Sequence, residues 1–157
     1  MPGIKSKLGF SLIELAMIIS IIGIVVVIAL PKVGNIIDDV NEKAVADRLI
    51  EDLSLLRSIA ISQHETTWLV VDQAQNQYGL WVGPSGSEVL IPDPETGESL
   101  VLDLDSAYSG VSISSVSFGG YPEVSFDWWG TPSSGGTLVL NSTRTITLVA
   151  ETGMAYE

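Results

Sequence analysis

The chain has 157 residues, carries 7 Lys+Arg against 19 Asp+Glu for a formal net charge of −12, and contains no cysteine and one histidine. That composition excludes a disulfide framework and any cysteine-ligated zinc, haem or iron–sulfur centre, and the lone His64 excludes an all-histidine metal cluster. The acidity argues against an exposed nucleic-acid track, which needs clustered Lys and Arg, while a mean hydropathy of +0.38 means that apolar and charged residues are segregated along the chain.

The segregation begins at the N-terminus. Residues 1–9 are short and basic through Lys5 and Lys7. Residues 10–30 are almost wholly apolar, with Glu14 the one ionisable side chain among them. Twenty-one helical residues rise roughly 31 Å at 1.5 Å each, which matches a bilayer core of ~30 Å. A cleaved secretory signal would need a small-residue site after the apolar run, but the sequence there reads Ala29-Leu30-Pro31-Lys32-Val33. A plain anchor with its N-terminus inside accounts for Lys5 and Lys7. It gives no reason for Glu14, because a carboxylate near one end of a membrane helix is unfavourable by up to a few kcal/mol and usually has a partner.

The run Gly9-Phe10-Ser11-Leu12-Ile13-Glu14-Leu15 resembles the processing and N-methylation motif of type IV pilins and type II secretion pseudopilins. The resemblance implies that a prepilin peptidase cuts between Gly9 and Phe10 on the cytoplasmic side, and that the new N-terminal Phe10 is methylated. It implies that Glu14 meets the N-terminal amine of a neighbouring subunit. Gly23 and Pro31 fall where members of the family often carry a helix-loosening Gly and Pro. The physics agrees: a cut there exposes an ammonium one helical turn from Glu14. Pairing Glu14 of one copy with the amine of the next neutralises both charges in apolar surroundings and fixes the axial stagger.

Pro31 lacks an N–H donor and crowds the preceding turn, so an interruption or kink is expected there. Beyond it Val33, Ile36, Ile37, Val40, Ala44, Leu49, Leu53, Leu56 and Ala60 recur at helical spacing among charged residues, predicting an amphipathic helix to about Gln63. Leu49–Ile61 is expected to pack on the chain's own lobe and Val33–Val40 on neighbouring subunits. His64 reads as a capping or solvent-side residue at the helix end.

From Thr66 the period shortens toward two. Strands are predicted at 67–71, 78–82, 89–91, 100–104, 111–118, 123–128, 137–140 and 144–149, separated by Gly- and Pro-rich turns. The fold class is therefore α+β, a long N-terminal helix on a C-terminal antiparallel β-rich lobe in the manner of a small sandwich. All four tryptophans fall in this lobe and are expected in its core or its seam with the helix, with Trp128 and Trp129 placing one ring in and one out. The order of Gly135-Gly136-Thr137-Leu138-Val139-Leu140, Arg144–Val149 and Gly153 looks like the GspH/FimT branch of minor pseudopilins and minor pilins. FimT-like DNA-uptake pilins use a basic C-terminal region, whereas this chain has one Lys or Arg after His64, Arg144, against twelve carboxylates. DNA is thus disfavoured as a partner, and a salt-sensitive contact to a basic partner is expected.

No motif for catalysis stands out: Gly83-Pro84-Ser85-Gly86-Ser87 is not a nucleophile elbow, and there is no phosphate-cradling loop. Asp93, Glu95, Glu98, Asp103 and Asp105 supply hard oxygen ligands that suit calcium, but their spacing is not that of a calcium loop, and a solvated acidic segment is the expected reading. The expectations are a non-enzymatic subunit without cofactor or metal, in four parts. These are a leader at 1–9, a transmembrane and assembly helix at 10–30, an amphipathic helix at 31–64 and a periplasmic lobe at 65–157. The resemblance implies a minor pseudopilin of a type II secretion pseudopilus, spanning the inner membrane once with its N-terminus cytoplasmic. Its partners would be the prepilin peptidase, the major and other minor pseudopilins, the inner-membrane assembly platform and secreted cargo. A minor type IV pilin is the second reading, and a single-span anchor carrying a periplasmic binding or enzyme lobe the third.

Overall fold

The computed structural model describes residues 11–92, 97 and 99–157, with side chains described throughout that set except at 28–36. The chain divides into two units, Met1–Ile37 and Asp38–Glu157. A single helix, α1 (Leu12–Gln63), contributes to both. It runs through Pro31 without a break, so the expected interruption is absent; one missing N–H removes one rung while the flanking turns keep theirs.

In the first unit the side chains from Leu12 to Val27 are exposed. The Ser20 hydroxyl donates to Ala16 O at 2.8 Å, so this polar group is satisfied within its own helix. Among the described residues no helix is long and apolar enough to cross a membrane; the side chains at 28–36, the end of the apolar run, lie outside that set.

Among the described residues of the second unit, α1 is followed by nine strands and one short helix. The strands are β1 (Thr67–Asp72), β2 (Gln77–Val82), β3 (Val89–Leu90) and β4 (Val101–Asp103), then β5 (Ile113–Phe118), β6 (Glu123–Phe126), β7 (Gly136–Leu140), β8 (Arg144–Leu148) and β9 (Ala155–Tyr156), with α2 (Leu104–Ala107) between β4 and β5. They form two antiparallel sheets. In the first, β2, β1 and β6 lie side by side, and β3 and β4 share the outer edge of β2. The second has the order β5-β7-β8-β9. Consecutive strands β5 and β6 belong to different sheets, so the chain crosses between them at Gly119-Gly120.

The core explains the pairing of helix and sheets. Val45, Ala46, Leu49, Leu53, Leu56 and Ala60 form a buried stripe at three- and four-residue steps on α1. They join Leu69, Val71, Tyr78, Leu80, Val124 and Phe126 of the first sheet and Ile113, Phe118, Leu138, Leu140, Ile146 and Leu148 of the second in one cluster. Each fully buried Leu or Phe contributes about 1.5–3 kcal/mol. The Thr67 hydroxyl adds a buried tie, donating to Leu56 O at 3.0 Å.

Three expectations are corrected. The strand predicted over 100–104 stops at Asp103, because the Asp103 carboxylate accepts from the backbone N–H groups of Asp105 and Ser106 and starts α2. Strand β9 was not anticipated. The tryptophans are not in the core: Trp68 and Trp81 are half-buried, and Trp128 and Trp129 are both exposed. Alternation fails after Phe126 because Asp127 begins a turn, its carboxylate accepting from Trp129 N and Thr131 N, and both following rings are turned outward. The aromatic core is made by Tyr78, Phe118 and Phe126 instead.

Candidate functional site

Residues expected to act in assembly fall in the first unit. Glu14 lies in the first turn of α1 and is exposed beside Leu12, Ile13, Leu15 and Met17, a lone carboxylate on an apolar surface. Gly23 sits mid-helix with nothing within 4 Å of the position a Cβ would take. Gly9 and Phe10 lie outside the described residues, as does the side chain of Pro31. So do Asp93, Glu95 and Glu98 of the acidic loop.

The start of the second unit keeps apolar surface in the open. Val40 is 60 % exposed, whereas Val45 is 1 % exposed. Val40 and Val45 lie on different faces of α1, and the core-facing stripe begins with Glu42, Val45 and Ala46. Asn41 at this point donates to Ser109 O at 2.9 Å, and Asp38 packs so closely on Gly110 that a Cβ there would lie 2.6 Å from its carboxylate oxygen. Gly110 has φ 83°, so a side chain is excluded by conformation as well as by space.

Two polar clusters hold the helix to the sheets. In the first, Asp52 is buried, accepts from the Tyr78 hydroxyl at 2.7 Å and pairs with Arg48 Nε at 3.2 Å. Burial raises the Asp52 carboxyl above the ordinary range, the partners offsetting only part of the desolvation. Burial, with the Asp52 charge beside it, also holds the Tyr78 hydroxyl in its neutral form. In the second, Arg144 faces three carboxylates: Asp39 at 3.3 Å, Glu42 at 3.9 Å and Glu157 in direct contact. Glu42 is buried and also accepts from the Thr143 hydroxyl at 2.5 Å.

These clusters were not singled out from the sequence, although a signal was present. Asp52 lies on the apolar stripe between Leu49 and Leu53, where a carboxylate needs a partner. Asn76, also missed, has φ 51° at the β1–β2 turn; its amide donates to Asp105 and to Val111 O and accepts from Ile113 N, pinning three segments together. The carboxylates of Asp103 and Asp105 are thereby engaged in a helix cap and in this hub. Among the described residues no three His, Asp or Glu side chains are gathered as a metal would require.

His64 follows the last turn of α1 with φ 57°, the left-handed conformation common just past a helix end. It is exposed and stacks on Trp128 with ring centroids 6.1 Å apart, and Trp128 meets Trp129 at 4.0 Å.

Residues 45–153 match the model of the family described as type II transport protein GspH. The fold is similar to two structures of the minor pseudopilin EpsH from the type II secretion system of Vibrio cholerae. Both are 12 % identical; one covers 71 % of this chain and 92 % of its own at a TM-score of 0.58, the other 74 % and 92 % at 0.59. No curated protein matches the chain by sequence.

Proposed function

This chain belongs to the GspH family of type II transport proteins, and we propose that, as a minor pseudopilin of the type II secretion system, it is a structural subunit that helps initiate or cap the filament driving export across the outer membrane. The observation that carries this reading is the family match across the helix–lobe core, 45–153. The Gly9-Phe10 junction and Glu14 extend it to assembly. In this reading the peptidase removes residues 1–9 and Phe10 is methylated. The apolar helix, loosened at Gly23 and Pro31, sits in the inner membrane and then in the filament. The lobe lies in the periplasm, facing the major subunit, other minor subunits and cargo.

Glu14 is the register device. Its carboxylate in one copy pairs with the Phe10 amine of the next, an ion pair in apolar surroundings whose loss leaves one buried charge alone. The first test is the N-terminal residue of protein purified from membranes. The expected mature chain starts at N-methylated Phe10; an intact Met1 in cells with an active prepilin peptidase contradicts the processing. A second test separates secretion from a pilus role. Deleting the gene should stop export of a type II substrate and leave surface pili unchanged, and Glu14→Ala should reproduce the deletion.

A further inference from the structure

The outer face of the first sheet carries a groove that the assembly reading does not use. Trp68 of β1 and Trp81 of β2 are direct cross-strand partners, so their indoles stand on the same face, opposite to the core-facing Leu69 and Leu80. Beside them is a hollow of about 280 Å³ bounded also by Glu88 and Glu123. A second hollow of about 380 Å³ shares Trp68 and Glu123 as walls and continues to Tyr121, which is 67 % exposed. No lysine, arginine or histidine lines either hollow.

The groove is held in shape before any partner arrives. Trp68 Nε1 donates to Gly83 O at 3.0 Å, which fixes that ring. Trp81 lies over Gly79, two residues earlier on the same face; a Cβ on Gly79 would come 3.0 Å from Trp81 Nε1. The missing side chain lets the indole rest along the sheet rather than stand off it. Glu88 accepts from Gly86 N at 2.7 Å through one oxygen, and no hydrogen bond engages the other among the described residues. Indole faces attract cations, and flanking carboxylates add a charge-assisted hydrogen bond. The lobe cannot fill the groove with a cation of its own, because Arg144, its one Lys or Arg after His64, is engaged by three carboxylates.

We propose that this groove, floored by Trp68 and Trp81 and flanked by Glu88 and Glu123, docks a basic segment of a partner protein, seating an arginine or lysine side chain against the indoles. Charge complementarity selects this occupant. A saccharide would also use the aromatic floor and donate its hydroxyls to the carboxylates, but a neutral sugar leaves their two negative charges uncompensated. The inference stands on the groove and does not require the filament reading.

The test uses the full chain in detergent micelles and an acetyl-tetraarginine-amide peptide as probe. The four indole N–H resonances are followed by NMR and assigned with single Trp→Phe variants. The peptide is expected to shift the Trp68 and Trp81 signals saturably and to leave Trp128 and Trp129 in place. The double variant E88Q/E123Q should bind about tenfold more weakly, as should the wild type in high salt. A tetraglutamate peptide should shift nothing. Gly79→Ala, which lifts the Trp81 indole while keeping both carboxylates, should weaken binding several-fold. Equal shifts of all four indoles would mean diffuse attraction to an acidic lobe and would overturn the proposal. So would unchanged affinity in E88Q/E123Q, or cellohexaose shifting Trp68 and Trp81 where the peptide does not.

Discussion

The Tyr78 hydroxyl donates a 2.7 Å hydrogen bond to Asp52 Oδ2, joining the second strand of the lobe to the buried face of α1. Both residues are buried, at 2 % and 4 % exposure. Arg48, half in solvent, reaches the same carboxylate from one turn away. Removing the phenol oxygen leaves a buried carboxylate with one partner. Tyr78→Phe should therefore lower stability by about 1–3 kcal/mol, read as a reduced urea midpoint with an unchanged slope. A loss within a few tenths of a kcal/mol would mean that water replaces the hydroxyl.

The same pair sets a pH dependence. Burial raises the Asp52 carboxyl above its unfolded value of about 3.9. The folded state then binds more protons than the unfolded state between the two values. Stability from this group is complete below the unfolded value and is lost as pH rises through the folded one. Asp52→Asn should flatten that part of the stability profile. At the alkaline end the Tyr78 phenol stays protonated in the fold, mainly through burial, while the unfolded phenol ionises near about 10. Stability should fall as pH climbs above that, and less steeply in Tyr78→Phe. Identical alkaline limbs in wild type and variant would refute this assignment.

Arg144 balances Asp39, Glu42 and Glu157 across α1, β8 and the end of the chain. Glu42 is the expensive partner because it is buried. Arg144→Ala should destabilise the lobe by about 3–5 kcal/mol, since it leaves that carboxylate without a countercharge. Arg144→Lys keeps the charge but loses the planar fork, and should fall between the alanine variant and the wild type. Adding Glu42→Gln to Arg144→Ala should recover part of the loss; a purely additive double variant would show that the two residues are not coupled.

Much of this arrangement was legible in the sequence because period and punctuation are local properties. The switch at Thr66 and the Gly/Pro turns located eight of the nine strands among the described residues. The apolar stripe located the buried half of α1. What escaped depends on contacts distant in sequence. The tryptophans are large and apolar, and composition alone places them inside; the turn at Asp127 and the outer face of β1 and β2 put them outside. Ala155-Tyr156 is too short to have a period and pairs only because β8 is already there. Arg144 reads as an isolated cation until the fold brings Asp39 and Glu42 to it from about a hundred residues away.

Gly136 tests the close approach of β5 to β7. A Cβ there would fall on the Ser117 carbonyl oxygen and lie 2.6 Å from Phe118 Cα. Both obstacles are backbone, so relief requires the strands to part, and the core residues Phe118 and Leu138 would part with them. Gly136→Ala should destabilise the protein by at least about 3 kcal/mol. Gly120 is the control: with φ 98° and nothing within 4 Å of its Cβ position, Gly120→Ala carries conformational strain alone, about 1–3 kcal/mol. The two urea midpoints separate crowding from backbone strain. If Gly136→Ala proves no worse than Gly120→Ala, the strands have room to spare and the tight β5–β7 seam is wrong.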